Sequence, residues 1–144
     1  MDNNIYQRRR PSRGHSVVEV ALLCPWIFFL LAGILDAGFY SYGLIAAENA
    51  ARAAVEYTSK STTTAADSAG ACQYALDGLQ ALPNVRTLSS CSASPLIVSA
   101  SKVTGADGSQ ASSVSVTYQT QMLIPIPGLT GRMNITRTVQ MRIL

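Results

Sequence analysis

Glu19 stands five residues after Gly14, within an apolar run at residues 17–35 where it is the only formal charge. A carboxylate in hydrocarbon costs several kcal/mol unless it is paired. Cutting the chain after Gly14 would create a partner: a new α-ammonium at His15, about 6 Å along a helix axis from Glu19. A neighbouring subunit's ammonium, offset along the axis, could then neutralise the carboxylate, so that the charge acts as a register mark for assembly. The competing reading is that Glu19, within two turns of the membrane edge, snorkels to the headgroups.

Other chemistry finds little support. His15 is the only histidine and lies away from any candidate serine or cysteine nucleophile, so a His-based triad has no basis. No C-x-x-C, H-E-x-x-H, G-x-x-x-x-G-K-S/T or G-x-G-x-x-G segment occurs. Past residue 58 the carboxylates Asp67, Asp77 and Asp107 fall in a helix start, a helix and a turn, with no sign of a paired general acid and base. An enzyme, a metal site, a cofactor and a small-molecule substrate are therefore not expected.

The elements that must position Gly14 and Glu19 follow from composition. The chain has 144 residues, 48% hydrophobic and only 13% charged, with mean hydropathy +0.20. A soluble domain of this size carries about 25% charge, and the deficit is concentrated in residues 17–35. As an α-helix that run is about 28 Å long, close to a bilayer's hydrocarbon thickness. One span excludes a multi-pass transporter and a plain cytosolic enzyme, and leaves the residues after about 58 for a small domain outside the bilayer. Arg8, Arg9, Arg10 and Arg13 precede the run with no comparable cluster after it, which predicts a cytoplasmic N-terminus and an exported C-terminal part. Nucleic-acid binding is not expected, because no aromatic-interleaved basic patch accompanies these arginines.

A cleaved secretory signal would end in an A-x-A-like site, but Ala32-Gly33-Ile34-Leu35-Asp36 leads into more helix-like sequence. A lipoprotein signal needs a small residue before its cysteine, and Leu23 precedes Cys24. The stretch Arg13-Gly14-His15-Ser16-Val17-Val18-Glu19-Val20-Ala21-Leu22 instead resembles type IV prepilins, in which a membrane aspartyl peptidase cuts after the glycine. Together with Pro25, Gly33-Ile34-Leu35-Asp36-Ala37-Gly38 and Asn49-Ala50-Ala51-Arg52-Ala53-Ala54, it is similar to the TadE-like family of pseudopilins of tight-adherence (Tad) pilus systems. Val20, Ala37 and Phe39 depart from the family's usual residues, and the resemblance covers residues 11 to 58. It implies cleavage between Gly14 and His15 by a prepilin peptidase, Glu19 as assembly charge partner, and association with other Tad pilins and pseudopilins, inner-membrane pilus platform proteins and membrane lipid. Tad major pilins have little beyond the helix, so an exported domain of this size points to a minor component.

On this reading residues 1–14 are a leader, 15–58 a transmembrane and assembly helix, and 59–144 an exported α+β domain in the bacterial inner membrane or pilus. Pro25 removes a backbone donor and should bend the helix. Tyr40 and Tyr42 sit where amphipathic rings favour the interface. Alanines at 46, 47, 50, 51, 53 and 54 favour helix as far as about Tyr57, with Glu48–Arg52 and Arg52–Glu56 as i,i+4 pairs. Gly43, Ala46, Ala50, Ala53 and Tyr57 share a face that suits packing against the chain's own domain or another subunit.

Residues 58–64 read as a polar loop. A second helix follows, opened by a capping-box-like Thr64 and Asp67, carrying a stripe of Cys72, Ala75, Leu76, Leu79 and Leu82, and ended by Pro83-Asn84. Residues 113–122 alternate as a strand with Val114, Val116, Tyr118, Thr120 and Met122 inward. Residues 134–143 form another, with Ile135, Val139, Met141 and Ile143 inward and Arg137 interrupting. Residues 96–104 form a third, hairpinned to the 113 strand through Gly105-Ala106-Asp107-Gly108. The segment with Pro125 and Pro127 reads as loop. The outcome is an α+β, pilin-like plan. Cys72 and Cys91 lie nineteen residues apart in the part expected to meet an oxidising compartment, which favours a disulfide over two thiols. Cys24 is expected to pack as an apolar residue. The Asn134-Ile135-Thr136 sequon is not expected to be glycosylated in a bacterial export setting.

Overall fold

The computed structural model describes residues 13–121 and 132–144. It contains two helices, α1 (Arg13–Thr58) and α2 (Ser68–Leu79), and four strands, β1 (Ser92–Ala93), β2 (Leu96–Thr104), β3 (Gln110–Gln119) and β4 (Asn134–Arg142). The strands form one antiparallel sheet in the order β1-β2-β3-β4. The expected α+β plan, with a long apolar N-terminal helix, a second helix and a small antiparallel sheet, is what the chain adopts. The loop containing Pro125 and Pro127, the inward position of Met122, and most of the leader lie outside the described residues.

The chain forms two compact units, one ending at Leu35 and the other running Asp36–Leu144. In the first, α1 passes helically through Pro25 and exposes its large apolar side chains, Leu22, Trp26, Phe28 and Leu30 among them. The region beginning at Ser16 contains an 18-residue window of mean hydropathy 2.3, long and apolar enough to cross a membrane. Among the described residues of this unit nothing apolar covers these side chains. A lipid environment removes that mismatch with water.

In the second unit the core is built around alanine. Ala46, Ala47, Ala50, Ala51, Ala54 and Val55 of α1 cluster with Ala71, Ala75 and Leu79 of α2 and with Leu96, Val98, Val114, Val116, Tyr118 and Ile135 of the sheet. Small side chains let backbones approach closely. Gly43 lies beside the Tyr118 ring, 3.2 Å from where a β-carbon would stand. The expected face is buried at Gly43, Ala46 and Ala50 and is wider than expected: Ala47, Ala51 and Ala54 are also fully buried, whereas Ala53 and Tyr57 are only partly so. Tyr40 packs against this core, and Tyr42 stays exposed.

The start of α2 differs from expectation. Asp67 is itself the N-cap, its carboxylate accepting from the Ala69 and Gly70 N–H groups at 3.1 and 3.0 Å. Aspartate is among the strongest caps, while the capping-box role needs a longer Glu or Gln to reach back. Thr64 instead closes the preceding turn, accepting from Ser61 N at 3.2 Å and donating to the Thr58 carbonyl. The apolar stripe includes Ala71, and Leu82 is buried beyond the helix end, where Leu82 N donates to Leu79 O at 2.9 Å.

The β2–β3 hairpin has the expected turn. Gly108 takes φ +77°, a conformation that favours glycine, and Asp107 accepts from Ser109 N at 3.1 Å. β3 starts three residues earlier than expected and buries Ser112 and Ser113 as well as Val114, Val116 and Tyr118, because β2 and β4 flank it on both sides. β4 has a neighbour on one side only, and Met141 is 45% exposed there instead of inward. On the outer sheet face hydroxyls pair across strands, Thr117 with Thr136 at 3.0 Å and Thr138 donating to Ser115 at 3.2 Å. The two-residue β1 has no sequence signal of its own; it exists by pairing Ser92 and Ala93 with Ile97 and Leu96.

Candidate functional site

The candidate assembly site lies on α1. The backbone of Gly14 and His15 belongs to its first turn, while the His15 side chain lies outside the described residues. Glu19 is an exposed position one turn further on, followed by Val20, Leu22 and Leu23 at 57–68% exposure. The helix thus carries its carboxylate on a segment that is otherwise uncovered hydrocarbon surface. Cys24 is exposed and unbonded on the same segment, while Pro25 is accommodated within the helix.

The second unit holds the remaining candidates. Cys72 and Cys91 form a disulfide with Cα atoms 5.7 Å apart, tying α2 to the approach to β1. Glu48 and Arg52 make the expected i,i+4 pair at 3.2 Å. Arg52 does not pair with Glu56: a glutamate N-terminal to its cation is the better-oriented partner on a helix, and Glu48 also draws the Arg137 guanidinium to 3.8 Å. Arg137 therefore has a reason that the strand pattern did not supply. It interrupts the inward apolar set because it reaches a carboxylate on α1.

Each carboxylate past residue 58 has a local structural task. Asp67 caps α2 and accepts from the Tyr57 hydroxyl at 2.9 Å. The Gly70 N–H, first, and the Tyr57 hydroxyl hold its pKa below the ordinary value, and Tyr57 is raised in turn chiefly by that same hydrogen bond. Tyr57 also stacks on Tyr74, ring centroids 4.8 Å apart. Asp107 is lowered mainly by the Ser109 hydroxyl, and Asp77 accepts from Gln80 Nε2 at 2.8 Å. Among the described residues no three of His, Cys, Asp and Glu gather where they could hold a metal.

Two features escaped the sequence reading. One is the buried hydroxyl joint between Ser112 and Thr58, 2.7 Å apart; one-dimensional alternation gives no sign of it. The other is a groove of about 410 Å³ lined by Leu44, Ile45, Glu48, Asn49, Arg52 and Arg137. Its charges are visible in the sequence, but only folding sets Arg137 beside Glu48.

Compared with known families, residues 14–56 match the model of the TadE-like protein family. The matched stretch includes Gly14, His15, Glu19, Pro25 and the 49–54 alanine run, the residues on which the resemblance rested. No curated protein and no solved structure matches the chain significantly.

Proposed function

From residues 14–56, which carry the TadE-like pattern, we propose that the chain is a minor pseudopilin of a Tad-type pilus machine. It inserts into the inner membrane with its N-terminus in the cytoplasm and its α+β domain exported. A prepilin peptidase cuts between Gly14 and His15, and α1 then enters or primes a filament that serves surface adherence. Its partners are the peptidase, other Tad pilins and pseudopilins, platform proteins and lipid. Its work is assembly, not catalysis.

The observation that carries this reading is the position of Gly14 and Glu19 in the first turns of a helix whose large apolar side chains from Val20 to Leu35 are exposed. Removing the leader deletes the arginine cluster that anchors the chain in its starting topology. It also frees an ammonium one turn from a carboxylate at membrane depth. Pairing Glu19 with a neighbour's His15 ammonium offsets the desolvation of both and fixes the stagger between subunits. Pro25 gives the span a point at which it can bend during packing.

The test is the intact mass and N-terminal sequence of the protein from its native membrane, with and without the peptidase. A start at His15 that requires the peptidase supports the reading. A persistent Met1 start, with the peptidase active on another substrate, overturns it in favour of an uncleaved single-pass protein whose domain binds a partner.

A further inference from the structure

Where β3 ends and β4 begins, the second unit holds a pocket of about 300 Å³. That is the lower end of the range for small-ligand sites, with room for roughly one or two sugar rings. Asn84 lines it from beyond α2, Ser94 and Pro95 from before β2, and Gln119, Gln121 and Arg132 from the facing ends of β3 and β4. Hydrogen bonds among these groups use up acceptors and leave donors. Asn84 Oδ1 accepts from the Tyr118 hydroxyl at 2.7 Å, while its amide gives one hydrogen to the Gln119 carbonyl at 2.9 Å. Gln119 Oε1 accepts from Ser94 at 2.6 Å, and its Nε2 gives one hydrogen to Asn134 Oδ1 at 3.2 Å. A primary amide has two N–H bonds, so Asn84 and Gln119 each keep one to spare. Arg132 is exposed, and among the described residues no carboxylate pairs with its guanidinium or lines the pocket.

We propose that this pocket binds an acidic saccharide, with the carboxylate of a uronic acid residue on Arg132 and its ring hydroxyls on the spare amide hydrogens of Asn84 and Gln119. A planar guanidinium meets a carboxylate through two parallel N–H···O bonds, which fixes the orientation of the sugar as well as its charge. One cation set among neutral amides suits a ligand with a single negative charge and many hydroxyls. A compact dianion such as phosphate would reach the one cation and leave the other walls unused. An apolar ligand would meet only the Pro95 ring among the described lining residues, and the acyl chains of an anionic lipid would find no more than that.

The outer sheet face continues the site. Gln119 lies opposite Asn134, and the next rows on that face are Thr117 opposite Thr136 and Ser115 opposite Thr138, all uncharged. Rows about 7 Å apart present hydroxyls to further sugars, so a polymer lies along them while one of its uronic acid residues fills the pocket. The site belongs wholly to the second unit, and binding needs only that this domain be outside the membrane. Its use in surface adherence rests on the assembly reading above.

The test titrates the full chain, held in phosphatidylcholine nanodiscs, with oligosaccharides of galacturonic, glucuronic, mannuronic and guluronic acid, each beside its neutral counterpart, and reads the affinity by calorimetry. At least one acidic series should bind about tenfold or more tighter than its neutral counterpart. Arg132→Gln should weaken that binding by about tenfold, and Gln121→Glu, which sets a carboxylate in the lining, should do the same. Both side chains are exposed and make no described hydrogen bond, so the fold is kept, which circular dichroism checks. Arg86→Gln, an exposed arginine outside this pocket, should change nothing. The proposal is overturned if no acidic oligosaccharide binds, if the neutral ones bind as tightly, or if Arg132→Gln and Gln121→Glu leave the affinity unchanged. Glycerophosphoglycerol, the soluble headgroup of an anionic lipid, is titrated alongside; binding that equals or exceeds that of the acidic sugars overturns it in favour of a lipid surface. The N-terminus of protein from the native membrane separates the two readings. A His15 start without saccharide binding sinks this site and leaves the pseudopilin standing, and saccharide binding by a chain that still starts at Met1 does the reverse.

Discussion

A β-carbon on Gly78 of α2 would stand 3.2 Å from the Cα of Ala50 and 3.3 Å from its Cβ on α1. The nearest neighbour is backbone, so nothing flexible can move aside, and the two helices touch there because both residues are small. Gly78→Ala should therefore destabilise the fold by about 1–3 kcal/mol, outweighing the gain of about 1 kcal/mol that alanine brings to a helix interior. Gly38, also in α1, has open space around it. Gly38→Ala should leave stability unchanged or raise it by up to about 1 kcal/mol. Urea unfolding of the full chain in detergent micelles, followed by circular dichroism, compares the two; equal effects would refute the close-packing account.

The end of α1 is fastened to the sheet by hydroxyls. Ser112 donates to Thr58 Oγ1 at 2.7 Å and to the Ala65 carbonyl at 3.1 Å, while Thr58 donates to Val55 O. Both side chains are fully buried. Ser112→Ala removes the donor and leaves the Ala65 carbonyl without it, a loss of about 1–3 kcal/mol. Combining it with Thr58→Val should cost less than the two single changes added, because each single change breaks the same bond. Strict additivity in the same unfolding assay would mean that the hydroxyls act independently.

Much of this architecture is readable in one dimension. The 96–104 strand, the Gly105–Gly108 turn and the Val114-Val116-Tyr118 face follow from alternation and turn chemistry, and the long apolar helix follows from hydropathy. The cysteine spacing pointed to the bond that forms. What alternation could not report depends on which neighbours the sheet order supplies. Ser112 is buried because β3 is central, and Met141 is exposed because β4 is an edge. The extension of the buried alanine face to Ala47, Ala51 and Ala54 arises in the same way, since alanine is compatible with either side of a helix until a partner chooses. At the candidate site, the Gly14–Glu19 spacing is a sequence property through and through. The Glu48–Arg137 contact is not, because it joins residues 89 positions apart.

Acid should weaken the cap of α2. The Gly70 N–H and the Tyr57 hydroxyl stabilise ionised Asp67 and lower its pKa below the ordinary 3.8. A carboxyl depressed in the folded state contributes stability that is present above its unfolded pKa and lost as the pH falls through its folded value. The urea midpoint should therefore decline as the pH drops below about 4. Asp67→Asn, which keeps a good cap but cannot ionise, should flatten that decline in part, the remainder coming from Asp107, which the Ser109 hydroxyl lowers in the same sense. Tyr57→Phe should act in the same direction as Asp67→Asn. An unchanged acid slope in both variants would show that the Tyr57–Asp67 contact has no linkage to folding.

Reduction should loosen the second unit more than any single surface change. The Cys72–Cys91 bond closes a loop of sequence separation 19 between α2 and the sheet, and a constraint of that length removes roughly 3 kcal/mol of conformational freedom from the unfolded chain. Cys91 is itself a core residue, 6% exposed, among Leu79, Leu82 and Val85. Cys72→Ser with Cys91→Ala keeps an apolar group in the core and isolates the cross-link, so a loss of about 2–4 kcal/mol is expected. The same paired variant should unfold identically with and without dithiothreitol, whereas the parent chain should lose stability in the reductant. If the parent is indifferent to dithiothreitol while its thiols are shown to be free, the alanine-rich core alone holds α2 on the sheet, and the bond adds nothing to it.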